Sequence, residues 1–224
     1  MQGGEALPLV FHRPVTLVGA GALTRGMLDE ALALAPDLVA ADSGADRLAA
    51  WGLAPAAVVG DMDSVADPDR WRAASRFLHL PEQETTDFEK CLYATKSPFY
   101  IATGFTGPRV DHLLSVLHAM LARPEKRLVL LGEADAIALL PPGRVVGIDL
   151  TPGARVSLFP LLPVRGMHSR GLTWPVEGME MAPGGRIGTS NVATAARVEV
   201  GFNAPGAAII VERRHLSALV RATL

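Results

Sequence analysis

The sequence predicts a doubly wound α/β domain with a mostly parallel sheet, followed by a smaller all-β sandwich domain. Three observations carry that expectation. Residues 15–18, 38–41, 57–59, 77–80, 100–102 and 128–131 form short apolar runs without alternation, as strands buried on both faces of a parallel sheet do. Helical patterns at 26–34, 45–51, 68–76, 87–95 and 110–121 separate them, and such alternation builds βαβ units. Beyond Pro141-Pro142-Gly143 the grammar changes: Gly and Pro become frequent, and β-prone segments follow one another at 145–150, 155–159, 196–200 and 207–211. The expected domains are therefore 1–142 and 143–224. Within the second, the Pro-rich stretch 159–164 should turn the chain, and no amphipathic helix is expected before the last few residues.

Bulk properties narrow the function classes. At 224 residues and 49% hydrophobic content the chain can bury a substantial core, so disorder is excluded. A formal net charge of −2, with basic residues dispersed, lacks the footprint of a nucleic-acid or membrane-surface binder. No run approaches the roughly 20 apolar residues a membrane span requires. The start, Met1-Gln2-Gly3-Gly4-Glu5, has no basic region followed by a long apolar stretch. A single cysteine, Cys91, allows no internal disulfide and suits a reducing compartment. A soluble cytoplasmic protein is expected.

In open α/β sheets ligands bind beyond the carboxyl ends of the strands, so the residues following each apolar run are the place to look for chemistry. Asp42-Ser43-Gly44-Ala45-Asp46 follows the second run and Gly60-Asp61-Met62-Asp63-Ser64 the third. Glu82-Gln83-Glu84-Thr85-Thr86-Asp87 follows the fourth, and 104–112, ending Arg109-Val110-Asp111-His112, the fifth. Four strand ends thus bring acids, hydroxyls and glycines to one rim. Asp61 and Asp63 form a D-x-D pair in a turn opened by Gly60. Hard Mg²⁺ takes oxygen ligands, usually one or two carboxylates plus substrate phosphates; the bland reading of the same turn is a solvated acid beside a glycine. Thr86 to Glu89 reads as a capping box. The helix start it defines suits phosphate, and Asp87 in its first turn can hold a cation. Arg109 can clamp a phosphate bidentately, while Asp111 and His112 fall in the next helix's first turn, where dipole compensation and packing are the plain alternatives.

Other motifs lead nowhere. Gly19-Ala20-Gly21 follows the first run, but the third glycine of a dinucleotide fingerprint would fall at Thr24. Neither a G-x-x-x-x-G-K-[ST] loop nor an H-R-D kinase loop occurs. Cys91 lies in a helical pattern next to Leu92 and reads as packing. His12, His79, His118, His168 and His215 make no zinc spacing.

Taken together, Ala41-Asp42-Ser43-Gly44-Ala45, Gly60 to Ser64, Gln83 with Thr86-Asp87-Phe88-Glu89-Lys90, and Arg109 to His112 resemble the thiamine pyrophosphokinase family. Ser190-Asn191, after Gly171-Leu172-Thr173-Trp174-Pro175, resembles its thiamine-side β domain. The chain departs from the family pattern at Ser43 and Pro108, where glycine is frequent, and at Val192-Ala193-Thr194-Ala195, where an aromatic often follows the Ser-Asn pair. The resemblance implies a homodimer with thiamine at the subunit interface, and transfer of the β,γ-diphosphate of ATP to the thiamine hydroxyl. It implies Mg²⁺ on Asp61, Asp63 and Asp87, and a polyphosphate lined by Asp42, Gly44, Gln83, Thr86, Arg109, Asp111 and His112. Ser190 and Asn191 would face thiamine, and Asp87 or Asp111 would accept the hydroxyl proton. The rival expectations are a Mg²⁺-dependent diphosphokinase for another small alcohol, and a non-catalytic thiamine or nucleotide sensor.

Overall fold

The computed structural model describes residues 7–223. The chain divides between Arg127 and Leu128 into two compact units.

The first unit alternates strand and helix. Its elements are β1 (Leu9–Val10), β2 (Val15–Val18), α1 (Arg25–Leu34), β3 (Asp37–Ala41), α2 (Gly44–Ala49), β4 (Ala57–Gly60), α3 (Pro68–Ala74), β5 (Arg76–His79), α4 (Asp87–Ala94), β6 (Thr95–Lys96), β7 (Tyr100–Thr103) and α5 (Val110–Ala122). Within the unit the strands run β7-β2-β3-β4-β5, every pairing parallel. Every residue of β2, β4 and β7 is buried, which is why these strands read as mainly apolar runs without polar alternation. Short β1 and β6 pair parallel with each other.

Local chemistry sets where the helices begin. Thr24 caps α1 by accepting from the Met27 amide. Asp67 caps α3, with Pro68 inside its first turn. Thr86 and Glu89 cap α4 reciprocally. Because the five strands are parallel, their carboxyl ends share one edge. From β2 the chain steps outward through β3, β4 and β5, then returns to β7 on the opposite flank of β2. That reversal is a topological switch point, where an open α/β sheet leaves a crevice.

The second unit comprises β8 (Leu128–Leu131), β9 (Asp135–Leu139), β10 (Val145–Asp149), β11 (Arg155–Pro160), β12 (Val164–Arg170), β13 (Glu180–Met181), β14 (Gly188–Val192), β15 (Arg197–Phe202), β16 (Ala207–Glu212) and α6 (Leu216–Thr223). Its strands lie in the orders β14-β11-β16-β9-β8 and β10-β15-β12-β13, with antiparallel pairings throughout. Val156, Leu158, Val198, Ile209 and Leu219 are among its core residues, and α6 packs against strands of both sheets. The expected turn after β11 is present, and the expected boundary at residues 142/143 falls between β9 and β10. Among the described residues no helix is long and apolar enough to cross a membrane.

Candidate active site

The crevice of the first unit is a cleft of about 720 Å³, within the size range of small-molecule sites. Two glycine loops at the switch point form one wall. The amides of Gly19, Gly21 and Ala22 donate to the carbonyls of Thr103, Gly104 and Thr106. The approach is so close that a Cβ on Gly104 (φ +76°) would lie 2.3 Å from the Gly19 carbonyl oxygen. The Gly19-Ala20-Gly21 turn therefore uses its donors to join two loops. Phe88 and Phe105 meet edge to face at 4.7 Å, giving the cleft an aromatic element.

Acids gather next to it. Ligand oxygens of Asp42, Asp61 and Asp63 lie within 4.8 Å of one another. They converge because β3 and β4 are neighbours in the sheet: the Asp42 amide donates to the Val59 carbonyl at 2.9 Å, so the two strand ends open side by side. Asp42 adopts φ +45° and Met62, inside the D-x-D turn, φ +65°, left-handed conformations rare for such residues. Asp42 Oδ1 is buried and has no hydrogen-bond partner. Asp61 Oδ2 accepts from Gln83 Nε2 at 3.0 Å and from Lys90 Nζ at 3.0 Å. Lys90 Nζ also lies 3.4 Å from Asp87 Oδ1, so one ammonium ties Asp87 to the same acids. Gly60 keeps the space between them: a Cβ there would stand 3.0 Å from Asp42 Cβ and 3.1 Å from Asp87 Oδ1.

The environments push these carboxyls apart. Burial, then repulsion from Asp61 and Asp63, raises Asp42 above the ordinary carboxylate value despite the Ser43 amide. Burial also raises Asp87, reinforced by Asp42 and Asp61. For Asp61 burial acts upward too, but hydrogen bonds from Lys90, the Asp63 amide and Gln83 outweigh it and hold the group low.

Asp42, Asp61, Gln83, Thr86, Asp87, Arg109 and His112 line the cleft together. Asp63 joins through the acid cluster. Arg109 forms a two-point pair with Asp111, Nη2 to Oδ2 at 2.6 Å and Nε to Oδ1 at 3.2 Å, with both side chains 65% exposed. Gly44 opens α2 against β2, where a Cβ would be 2.2 Å from the Val18 carbonyl oxygen; only glycine permits that approach. The sequence reading missed two contributions. Lys90 is 1% exposed, and its signal was a lysine among the buried positions Phe88, Cys91 and Leu92 of α4. Asp42 was expected to line polyphosphate, whereas its convergence with the D-x-D pair follows from strand adjacency. Cys91 is buried, and desolvation pushes its thiol well above the ordinary value, as suits packing.

Comparisons with known proteins identify the family. A family model described as "Thiamin pyrophosphokinase, catalytic domain" matches residues 28–130, and one described as "Thiamin pyrophosphokinase, vitamin B1 binding domain" matches residues 144–205. Together they take in about three quarters of the chain, in order. The chain belongs to the thiamin pyrophosphokinase family. Thiamine pyrophosphokinase 1 of Arabidopsis thaliana is 30% identical over 167 residues, covering 65% of this chain and 61% of that protein. Thiamine pyrophosphokinase 2 of the same plant is 32% identical over 155 residues, covering 62% and 58%. The chain thus spans about three fifths of the length of the curated relatives it matches. Among solved structures, thiamin pyrophosphokinase from Candida albicans aligns with a TM-score of 0.77 at 17% identity, over 90% of this chain and 89% of that one. The yeast enzyme aligns at 0.71 and 16%, over 96% and 94%. At such identities the likeness is one of fold.

In the unit carrying the family's vitamin B1 binding match, Ser190 is exposed on β14 with φ +59°, and its amide donates to Ser157 Oγ at 3.0 Å. Asn191 is buried. Its Nδ2 donates to the Trp174 carbonyl at 2.6 Å, and its Oδ1 accepts from the amides of Trp174 and Val192. It thereby fixes the turn that leaves the Trp174 side chain 58% exposed.

Proposed function

We propose that this chain is a thiamine diphosphokinase that transfers the β,γ-diphosphate of ATP to the hydroxyl of thiamine and releases AMP. The carrying observation is the convergence of Asp42, Asp61 and Asp63, joined through Lys90 to Asp87, beside a glycine-walled cleft at a switch point. Family membership supports ATP and thiamine as the substrates.

The residues present fit Mg²⁺. Their donors are carboxylate oxygens, and the buried, unpartnered Asp42 Oδ1 is an acceptor awaiting a cationic neighbour. Asp61, Asp63 and Asp42 would hold the ion, with Asp87, the third ligand expected from sequence, beside them. When bound, it neutralises phosphate charge, which phosphoryl-type transfer chiefly requires. The chain supplies the alignment. Thr86 and Glu89 fix the start of α4, whose free amides suit phosphate. Among the described residues the Arg109 side chain is held by an exposed, solvent-screened ion pair, so its guanidinium can exchange Asp111 for a phosphate at little cost. Gln83 orients Asp61. Of the two candidate proton acceptors, Asp87 lies in the cleft with a raised affinity for protons, whereas Arg109 engages Asp111 and holds its carboxyl low.

Ser190 and the turn fixed by Asn191 would face thiamine at a homodimer interface, and the functional domains would run 1–142 and 143–224. A cytoplasmic location accords with the single buried cysteine. The deciding experiment mixes the protein with Mg-ATP and thiamine and analyses products. AMP and thiamine diphosphate should appear in equal amounts and vanish with EDTA. ADP in place of AMP, or binding without turnover, would sink the proposal.

A further inference from the structure

The segment between β5 and α4 carries Gln83, Thr85 and Thr86 into the cleft, yet it has no regular structure. Such a loop needs something to hold it, since fixing each residue costs about 1–2 kcal/mol of backbone entropy. Glu82 does this. Its Oε2 accepts from the amides of Glu84 at 2.9 Å and Thr85 at 3.0 Å. Its Oε1 accepts from Thr85 Oγ1 and from Tyr93 Oη, the latter at 2.9 Å. One carboxylate thus collects four donors, three from the loop and one from α4. Tyr93 is itself steadied by Arg123, whose guanidinium carbon lies 5.9 Å from the ring centroid.

This arrangement differs from the cap of α4, which Thr86 and Glu89 complete without Glu82. Removing Glu82 would therefore leave the helix start intact and free the loop before it. Gln83 would lose its fixed approach to Asp61, and Thr85 its tether. The hydrogen bonds from Thr85 and Tyr93 hold the Glu82 carboxyl down to about 2, so the acceptor stays ionised, and bonds to a charged acceptor are the stronger kind.

We propose that Glu82, anchored by Tyr93, is a positioning residue that presents Gln83 and Thr86 to the nucleotide's polyphosphate. The proposal rests on the diphosphokinase reading, because the cleft's ligand is taken to be Mg-ATP. Glu82→Ala should raise the Mg-ATP KM and the directly measured Mg-ATP dissociation constant by about tenfold, the scale of a lost charged hydrogen bond. The thiamine KM should stay within about twofold. Glu82→Gln, which keeps the shape and one acceptor oxygen, should recover part of the loss. Tyr93→Phe should act in the same direction but more weakly, and Glu82→Ala with Tyr93→Phe should be no worse than Glu82→Ala alone, since the two share one interaction.

Amide hydrogen exchange tests the tether without any substrate: Glu84 and Thr85 should exchange faster in Glu82→Ala while the α4 amides keep their protection. Unchanged exchange at these two amides, or an unchanged Mg-ATP dissociation constant, overturns the proposal. If the wild type binds Mg-ATP but transfers nothing to thiamine, the diphosphokinase reading fails and the positioning role still stands on the dissociation constants. A wild type that binds no Mg-ATP removes both.

Discussion

Asp61 and Asp87 share one ammonium, Lys90, but their surroundings give them opposite characters. Three hydrogen bonds favour the charged form of Asp61, while burial and two neighbouring acids favour the protonated form of Asp87. Neutralising each should therefore fail differently. Asp61→Asn keeps the shape but removes the charge a cation needs, and several kcal/mol of lost charge stabilisation means a kcat at least about a hundredfold lower. The Mg²⁺ concentration for half-activation should rise with it. Asp87→Asn should lower kcat by a similar factor while leaving half-activation by Mg²⁺ near the wild-type value, if its part is to take the hydroxyl proton. Mg²⁺ titrations of activity, with circular dichroism to verify folding, separate the two. A large rise in the Mg²⁺ requirement of Asp87→Asn would make it a ligand, as the sequence first suggested, and a fully active Asp61→Asn would remove the metal role from this cluster.

Between elements, the glycines of the switch point do the joining. Gly104 is constrained twice, by its positive φ and by the Gly19 carbonyl that a Cβ would meet at 2.3 Å, whereas Gly143 has φ +69° but open space around it. Gly143→Ala should cost only the left-handed backbone penalty, about 1–2 kcal/mol. Gly104→Ala adds overpacking against backbone and should cost about 3 kcal/mol or more, with weakened Mg-ATP binding because the loops part. Urea denaturation of both variants provides the comparison, and equal midpoints would mean that the loops separate freely. Physical causes also decide which elements were legible in the sequence. Strands buried on both faces, such as β8 with its Leu-Val-Leu-Leu, leave an unbroken apolar run. Strands β12 and β14, with sequences VRGMHSR and GTSNV, are largely polar and exist because distant strands pair with them. Strand β9 alternates and went unread between the apolar run of β8 and the Pro-Pro-Gly turn. The same limit applies to the site. The D-x-D pair, the capping box and the acid-bearing strand ends are local patterns, whereas the meeting of Asp42 with Asp61 and the fourfold engagement of Glu82 depend on which strands and turns become neighbours.

At the scale of the whole molecule, the two sets of candidate site residues lie in different units. The acid-rimmed cleft belongs to the first. The second offers Ser190 in a left-handed conformation and an exposed Trp174 whose backbone Asn191 fixes, alongside exposed Met167 and Ile187. A contiguous exposed apolar patch marks an interaction surface, whereas single exposed apolar side chains are ordinary, so the case for a partner here rests on the proposed function. The proposed function would place thiamine where two copies of the chain meet. Activity should then depend on protein concentration: sedimentation should give a dimer at micromolar concentration, and turnover per subunit should fall on dilution through the dissociation range. Trp174→Glu, which places a charge where an apolar contact is expected, should move that range upward by about tenfold or more, as an uncompensated charge at an interface does. It should leave Mg-ATP binding unchanged, because that cleft lies wholly within the first unit. A monomer with undiminished turnover at all dilutions would place thiamine recognition within a single chain.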